Sequence, residues 1–345
     1  REIYAHYFGP THPESTAAEP GWEEADWFWL GGVTSDSATI VAGGLEADEE
    51  FVLGLVDVTS SVRHVAVRAD GDGVARFELS GLVPATRYQY RVVEVEKADT
   101  LLVPSPGAAD GHFETPAIGP QDLTIVASSC ARTGSNGSVF DAIVAEQPDL
   151  YLALGDLHYS NLASDDPARH LSQYATALSQ PGQAALFGTI PTAYVWDDHD
   201  YGPNDADGSS VSRLAVSTAY RQAVPHHGVD PDPESSIAQA FTLGRVRVVI
   251  TDTRSQRADT TMLGAEQLAW LIDELTQSSS SHALVIWANP TPWLSESGAD
   301  DWSLYPEERR VISEALVEAE VENLVMVSGD AHMVAIDDGT NTGYA

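Results

Sequence analysis

Between Trp27 and Pro116 apolar and polar residues alternate in short runs: WFWLGGV, SATIVAG, FVLGLVDV, HVAVRA, ARFELSGL, YQYRVVEV and HFETP. Turn-forming clusters such as Asp70-Gly71-Asp72-Gly73 and Pro84-Ala85-Thr86 separate them. A period of two predicts half-buried strands, and strands at such close spacing predict a β-sandwich over residues 25–116. Residues 1–24 carry Pro, His and Glu without periodicity and read as an arm on the surface; residues 117–121 read as a linker.

From Asp122 the pattern changes. Apolar runs of about five residues, the kind a sheet buries on both faces, alternate with segments of helical period, which predicts an α/β layer architecture over residues 122–345. The predicted strands are LTIVAS, LYLAL, TAYVW, AFTLG, VRVVITD, ALVIWAN and NLVMVSG. Helices are expected over Ser138–Glu146, Leu171–Leu178, Ser212–Val224, Gly264–Leu275 and Pro306–Val317, with Ser278–Ser281 a plain loop.

Composition narrows the function classes. Lys97 is the only lysine and the formal net charge is −35, so a nucleic-acid partner is not expected. So acidic a surface suits high salt, which screens self-repulsion, and points to a halophilic source or an acidic exported protein. With 43% hydrophobic residues a sizeable core is available, yet no apolar run is long enough to span a membrane. The chain starts at Arg1, which suggests processing or trimming, and its single cysteine, Cys130, leaves no internal disulfide.

The chemistry collects where the apolar runs of the second half stop. LTIVASS leads into Cys130, LYLALG into Asp156 and then Tyr159, and AYVW into Asp197-Asp198-His199-Asp200. VVIT ends at Asp252, VIWA at Asn289 and VMVSG at Asp330, with His332 two residues on. Open α/β sheets bind ligands at that edge. Singly, each residue has a structural explanation: an inert thiol, a turn-capping acid, a core histidine, a packed phenol. Together, so many carboxylates at one edge need a cation to offset their repulsion. Thiolate, phenolate and imidazole suit a transition metal, whereas Asp and Asn oxygens suit a hard cation.

Specific motifs then add a resemblance. SSCAR (Ser128–Arg132), GDLHY (Gly155–Tyr159), WDDHDYGPND (Trp196–Asp205), ITDTRSQR (Ile250–Arg257), MLGAEQLAWL (Met262–Leu271), WANPTPW (Trp287–Trp293) and VSGDAHMVAIDDG (Val327–Gly339) span nearly the whole second half. That half resembles the calcineurin-like metallophosphoesterases, and the chain as a whole resembles the PhoD-type alkaline phosphatases. The resemblance implies an αββα sandwich catalytic domain behind an N-terminal fibronectin III- or Ig-like β-sandwich, for which Gly81-Leu82-x-Pro84-x-Thr86-x-Tyr88 supplies a candidate tyrosine corner at Tyr88. It implies Fe3+ at Cys130, Asp156, Tyr159 and His332, with Asp156 bridging to Ca2+ held by Asp198, Asn289 and Asp330, and Asp197 near a further Ca2+.

By the same resemblance His199 contacts the phosphoryl group or protonates the leaving oxygen, or is itself a ligand, and Asp200 orients it. Arg254 and Arg132 are placed to clamp phosphate, unless Arg254 pairs with Asp252. The expected activity is metal-dependent hydrolysis of small phosphate esters by a secreted or periplasmic enzyme. Phosphodiester hydrolysis on phospholipids or polymers is the alternative, and a cation-dependent binding protein with an inert site is a rival from another class. The chain stops at Ala345, where relatives continue, so the outer sheet of the catalytic domain is expected to be incomplete.

Overall fold

The computed structural model describes residues 17, 22, 24–100, 110–133, 137–295 and 300–343, with the backbone alone at 99 and 100. The first seven predicted strands form as β1 (Trp27–Gly31), β2 (Ser37–Gly43), β3 (Glu50–Asp57), β4 (Val62–Arg68), β5 (Ala75–Ser80), β6 (Arg87–Glu94) and β7 (Gly111–Glu114). β5, β2 and β1 pair antiparallel in that order, and β4-β3-β6-β7 form a second antiparallel sheet. Their inward residues, among them Phe28, Ile40, Leu53, Phe77, Tyr90 and Phe113, share one core. At the predicted corner the Tyr88 hydroxyl accepts the Val83 N–H at 2.8 Å. The expected N-terminal arm lies mostly outside the described residues; Trp22, within it, packs edge-on against Phe28 and donates to Asp110 O.

The later strands are β8 (Ile125–Ser128), β9 (Leu150–Leu154), β10 (Thr192–Val195), β11 (Gln239–Leu243), β12 (Val246–Ile250), β13 (Leu284–Asn289) and β14 (Leu324–Ser328). β8, β9 and β10 run parallel to one another; β12, β13 and β14 do likewise, with β11 antiparallel on the β12 edge. Residues of both sheets, including Leu152, Val195, Phe241, Ile250 and Ile286, meet in one core. Helices α1 (Gly137–Ala145), α2 (Pro167–Leu178) and α3 (Pro181–Thr189) contribute Phe140, Tyr174 and Phe187 to it. The chain then forms a single turn, α4 (Asp198–Tyr201), and α5 (Arg213–Ala223). A second core lies between β12–β14 and helices α6 (Gly264–Ser281) and α7 (Pro306–Glu318).

Three details depart from the sequence reading. Helix α3 was not expected. Helix α6 runs on through Ser278–Ser281 to its end, where Ser281 Oγ donates back to Gln277 O at 3.1 Å. The first strand also pairs parallel with β10 at Gly31↔Thr192, so β5-β2-β1-β10-β9-β8 is one continuous sheet across the expected linker. Gly31 makes this possible, because a Cβ there would come within 2.4 Å of Thr192 O and 2.9 Å of Pro225 Cγ. Tyr90 Oη donating to Gly188 O at 2.7 Å and Arg76 Nη1 donating to Val224 O at 2.9 Å tie the same seam.

Candidate metal centre

Because β8, β9 and β10 are parallel, and β12, β13 and β14 are parallel, each set delivers its carboxyl ends to one edge. Cys130, Asp156 and Asp197 follow the first set; Asn289 ends β13 and Asp330 follows β14. The segments are locked together by Cys130 N–H to Gly155 O at 3.2 Å, Ala131 N–H to Asp156 O at 2.8 Å and Gly329 N–H to Pro290 O at 2.9 Å. Gly155 must be glycine: its φ is +87°, and a Cβ would meet Asp197 Cβ at 2.4 Å. Cys130, Asp156, Asp330 and His332 all take left-handed backbone angles, between +49° and +63°. Such strain concentrates where a constellation is held for function.

The donor atoms converge. Ligand atoms of Cys130, Asp156 and His332 lie within 4.8 Å of one another, and so do those of Asp156, Asp198 and His199, and of Asp197, Asp198 and Asp330. Tyr159 joins the first group, its hydroxyl 2.9 Å from His332 Nε2. Both carboxylate oxygens of Asp156, 1% exposed, and both amide atoms of Asn289, also 1% exposed, have no hydrogen-bond partner among the described residues. Buried polar atoms are seldom left so. The Asp156 carboxylate, with donor atoms of its neighbours within 4.8 Å, fits a cation that the protein itself does not supply.

The electrostatics agree. Burial, reinforced by Asp200 and Asp198, pushes Asp156 up to about 8. Burial pushes Asp330 up to about 7 against the opposing pull of Arg254, and pushes the Cys130 thiol up to about 12 with help from Asp156. Tyr159 is raised by burial and then by Asp156 and Cys130. Each shift measures a charge the folded chain resists carrying alone, and positive charge at the centre would reverse them.

Asp198 accepts from the backbone N–H of His199 at 2.9 Å and of Asp205 at 2.6 Å, which turns its carboxylate towards the cluster. Asp197 is half committed: Oδ1 takes Arg254 Nε at 2.6 Å and Nη2 at 2.5 Å, while Oδ2 has no partner among the described residues.

Two expected roles need correction. Asp200 does not orient His199: its oxygens accept from the backbone N–H of His158 at 3.0 Å and of Asp197 at 3.3 Å. Successive positions on a helical turn point about 100° apart, so Asp200 faces inward while His199 faces out. His199 Nδ1 instead meets Asn161 Oδ1 at 2.6 Å, and its ring lies on that of Tyr159, centroids 4.3 Å apart.

Arg254 is no phosphate clamp. It is 0% exposed, and its guanidinium is taken by Asp197 and by Asp300, Nη2 to Oδ2 at 2.6 Å. Nor does that guanidinium pair with Asp252, whose oxygens accept from Trp196 Nε1, Ile237 N–H, Ser255 and the Arg254 backbone. Asp300 also pairs with Arg257, so acids and bases alternate away from the centre. Asn161 and Asp300 escaped the sequence reading because neither ends an apolar run. Arg132 is exposed on the loop after β8.

Alkaline phosphatase D of Bacillus subtilis (strain 168) is 25% identical over 318 residues, covering 74% of this chain and 52% of that protein. The chain therefore spans about half the length of the curated relative it matches. A solved structure of PhoD superposes with a TM-score of 0.73 at 18% identity, covering 91% of this chain and 73% of the other. Purple acid phosphatase PPD1 from yellow lupin (Lupinus luteus) seeds gives a TM-score of 0.61 at 14% identity, over 88% of this chain and 58% of the other. At those identities the two structures speak for the fold alone. The family model for PhoD-like phosphatases matches residues 125–343, from β8 through the last described residue and so over more than half of the length; the chain belongs to the PhoD-like phosphatase family.

Proposed function

We propose that the chain hydrolyses phosphate esters, phosphomonoesters first, at the centre between the two parallel sets of strands. The observation that carries this reading is the buried, unpartnered carboxylate of Asp156 set among Cys130, Tyr159, Asp198, Asp330 and His332, with the unpartnered amide of Asn289 buried at the end of β13 on the same edge. Donor chemistry divides the set. Cys130, Tyr159 and His332, with Asp156 shared, would hold Fe3+; Asp198, Asn289 and Asp330 would hold Ca2+, with the unpartnered Asp197 Oδ2 a further oxygen beside them. Bound there, such ions supply positive charge that offsets the carboxylates, acidifies water and attracts phosphate.

The chain's own residues do the rest. Asp156, reached from both groups of donors, sets their spacing. His199 stands beside Asp156 and Asp198 with Nδ1 engaged by Asn161, and Nε2 makes no hydrogen bond among the described residues. That nitrogen is the one able to pass a proton to a leaving alkoxide. Arg254, held inside, pairs with Asp197 and offsets its charge at the inner side of the cluster. Phosphodiesters ask for the same donors and differ in pocket shape. The reading also takes the antiparallel strands β1–β7 as a fibronectin III-like domain over residues 25–116, with catalysis confined to residues 122–345. A secreted or periplasmic location and a halophilic source complete it; the first rests on the family resemblance, the second on the net charge of −35.

The test is turnover of a chromogenic phosphomonoester beside its diester, with metal analysis of the active protein. Hydrolysis lost on chelation and restored by Fe3+ with Ca2+ is expected. Purified protein that binds these ions without hydrolysing either ester would instead favour a cation-dependent binding protein, and zinc alone in active protein would overturn the metal assignment.

A further inference from the structure

We infer that Asn161 is the positioning residue of His199, the role that the neighbouring carboxylate Asp200 leaves unfilled. This rests on the reading above, in which His199 serves the leaving oxygen. Asn161 lies two residues beyond Tyr159 in the loop after β9, at φ +50°, a conformation that Asn adopts more readily than other side-chain-bearing residues. Its amide is anchored at both ends. Nδ2 donates to Tyr159 O at 3.3 Å, which identifies the other terminus as the oxygen. That oxygen lies 2.6 Å from His199 Nδ1. An amide oxygen only accepts, so Nδ1 carries a hydrogen, and Nε2 is left as the nitrogen through which a proton is taken up or given to the leaving oxygen.

The same short segment also holds the ring's face. Tyr159 lies against His199 with centroids 4.3 Å apart and planes inclined by 36°. One loop therefore fixes the tilt of the imidazole through the phenol and its rotation through the amide. The phenol is itself tied to His332, so the orientation of His199 is referred to the metal-ligand set. An amide acceptor differs in kind from a carboxylate: it directs the ring without adding another negative charge to a centre already crowded with acids. Neither Asp200, bound to the His158 and Asp197 backbone, nor Asp198, bound to the His199 and Asp205 backbone, makes any hydrogen bond to the imidazole.

The experiment uses two substitutions and one double-mutant cycle. Asn161→Gly removes the amide while tolerating the left-handed backbone; Asn161→Asp keeps an oxygen at the same place. Metal content and melting temperature are measured first and are expected to match wild type, since Asn161 is exposed and binds no metal in this reading. For an alkyl phosphate, a poor leaving group, Asn161→Gly should lower kcat about 10–100-fold, a part of the 10²–10⁴ that a general acid contributes. The loss should be smaller for a nitrophenyl phosphate, KM should stay unchanged, and Asn161→Asp should restore kcat to within a few-fold.

In a His199→Ala background Asn161→Gly should have no further effect, because it acts only through the ring. Additive losses in that cycle, or Asn161→Gly turnover equal to wild type where His199→Ala is impaired, would overturn the positioning role and leave the hydrolase reading standing. Wild-type protein inert towards both esters fails the hydrolase reading, and His199→Ala losing equally on both leaving groups removes the proton-transfer role. Either result takes the positioning role with it.

Discussion

Arg254→Met tests whether the arginine is structural ballast for the acids or a hand on the substrate. In the wild type Asp197, Arg254, Asp300 and Arg257 alternate in sign and sum to zero, with Arg257 Nε donating to Tyr305 Oη at 2.8 Å as the outer anchor. Methionine fills much of the same space, so the loss is mainly electrostatic. Two carboxylates remain buried, and breaking one such pair costs about 3–5 kcal/mol. At about 2–4 °C per kcal/mol, the scale for domains of 150–250 residues, melting should fall on the order of 6–20 °C. The pH dependence has a definite sign. Burial already raises Asp197 against the pull of Arg254, so without the arginine it rises further. A carboxylate raised in the folded state weakens the fold as pH climbs through that folded value. The penalty should therefore be small in acid and grow towards neutrality. Urea unfolding at low and at molar NaCl is the assay, because a fully buried pair is hardly screened and the difference should persist in salt. Arg254→Lys, which keeps charge but loses the fork, should fall between. A methionine variant within about 1 kcal/mol of wild type, with KM raised and nothing else changed, would refute this account and restore Arg254 as a phosphate clamp.

Burial holds His227 down to about 3 and His226 to about 4, with His226 and Arg247 acting on the first and Arg76 and Arg221 on the second. Lowered histidines contribute stability that is present above pH ~6.5 and lost as pH falls towards their folded values. Unfolding free energy should thus drop by at least ~1 kcal/mol between pH 6.5 and 4, and His227→Phe should flatten that slope; an unchanged slope would exonerate the pair. Melting temperature should climb from about 0.05 to about 1 M NaCl as the surplus acids are screened, and a salt-independent melt would sink the halophilic reading. Cys130→Ala should strip the transition metal, by metal analysis, while the melt of the metal-free forms shifts by less than about 1 kcal/mol; an iron-loaded variant would return Cys130 to an inert thiol.

Where sequence reading succeeded, a period or an abrupt stop made the residue visible. LYLAL is apolar throughout and becomes β9, buried at every position, and the reactive residues announced themselves by ending such runs. Helix α3 has no polar stripe to reveal it. Gly182, Gln183, Ala184, Leu186, Phe187 and Gly188 are all buried, so nothing repeats at 3.6 residues. The tail of α6 hid behind four serines, which favour loops until they bond back to their own turn, as Ser281 does. Asp200 misled because adjacency in sequence to His199 suggested contact, when helical geometry separates the two. Arg254 and Asp300 are 46 positions apart and meet only through tertiary packing. Asn161 carries no pattern at all; only its position after Tyr159, in a left-handed turn, brings its amide to the imidazole.

The excess of acid in this chain falls into two populations that respond to different ions. Of 52 acidic residues most are on the surface, where monovalent salt within a few ångströms screens them. Asp156, Asp197 and Asp198 are each at most 2% exposed, so mobile salt cannot approach them. Their repulsion has to be met from inside, by Arg254 on one flank and by ions directly ligated on the other. Arg254 reaches Asp197 Oδ1 at hydrogen-bond distance but lies 4.0 Å from Asp198, and makes no ion pair with Asp156, whose two oxygens stay unpartnered among the described residues. One fixed cation therefore neutralises the inner rim of the cluster and leaves its centre for exchangeable ones. Monovalent salt and chelator should accordingly act on separate properties, the first on the stability of the whole fold and the second on the site. A fold whose stability followed chelation but not salt would place the decisive repulsion among these three carboxylates rather than across the surface.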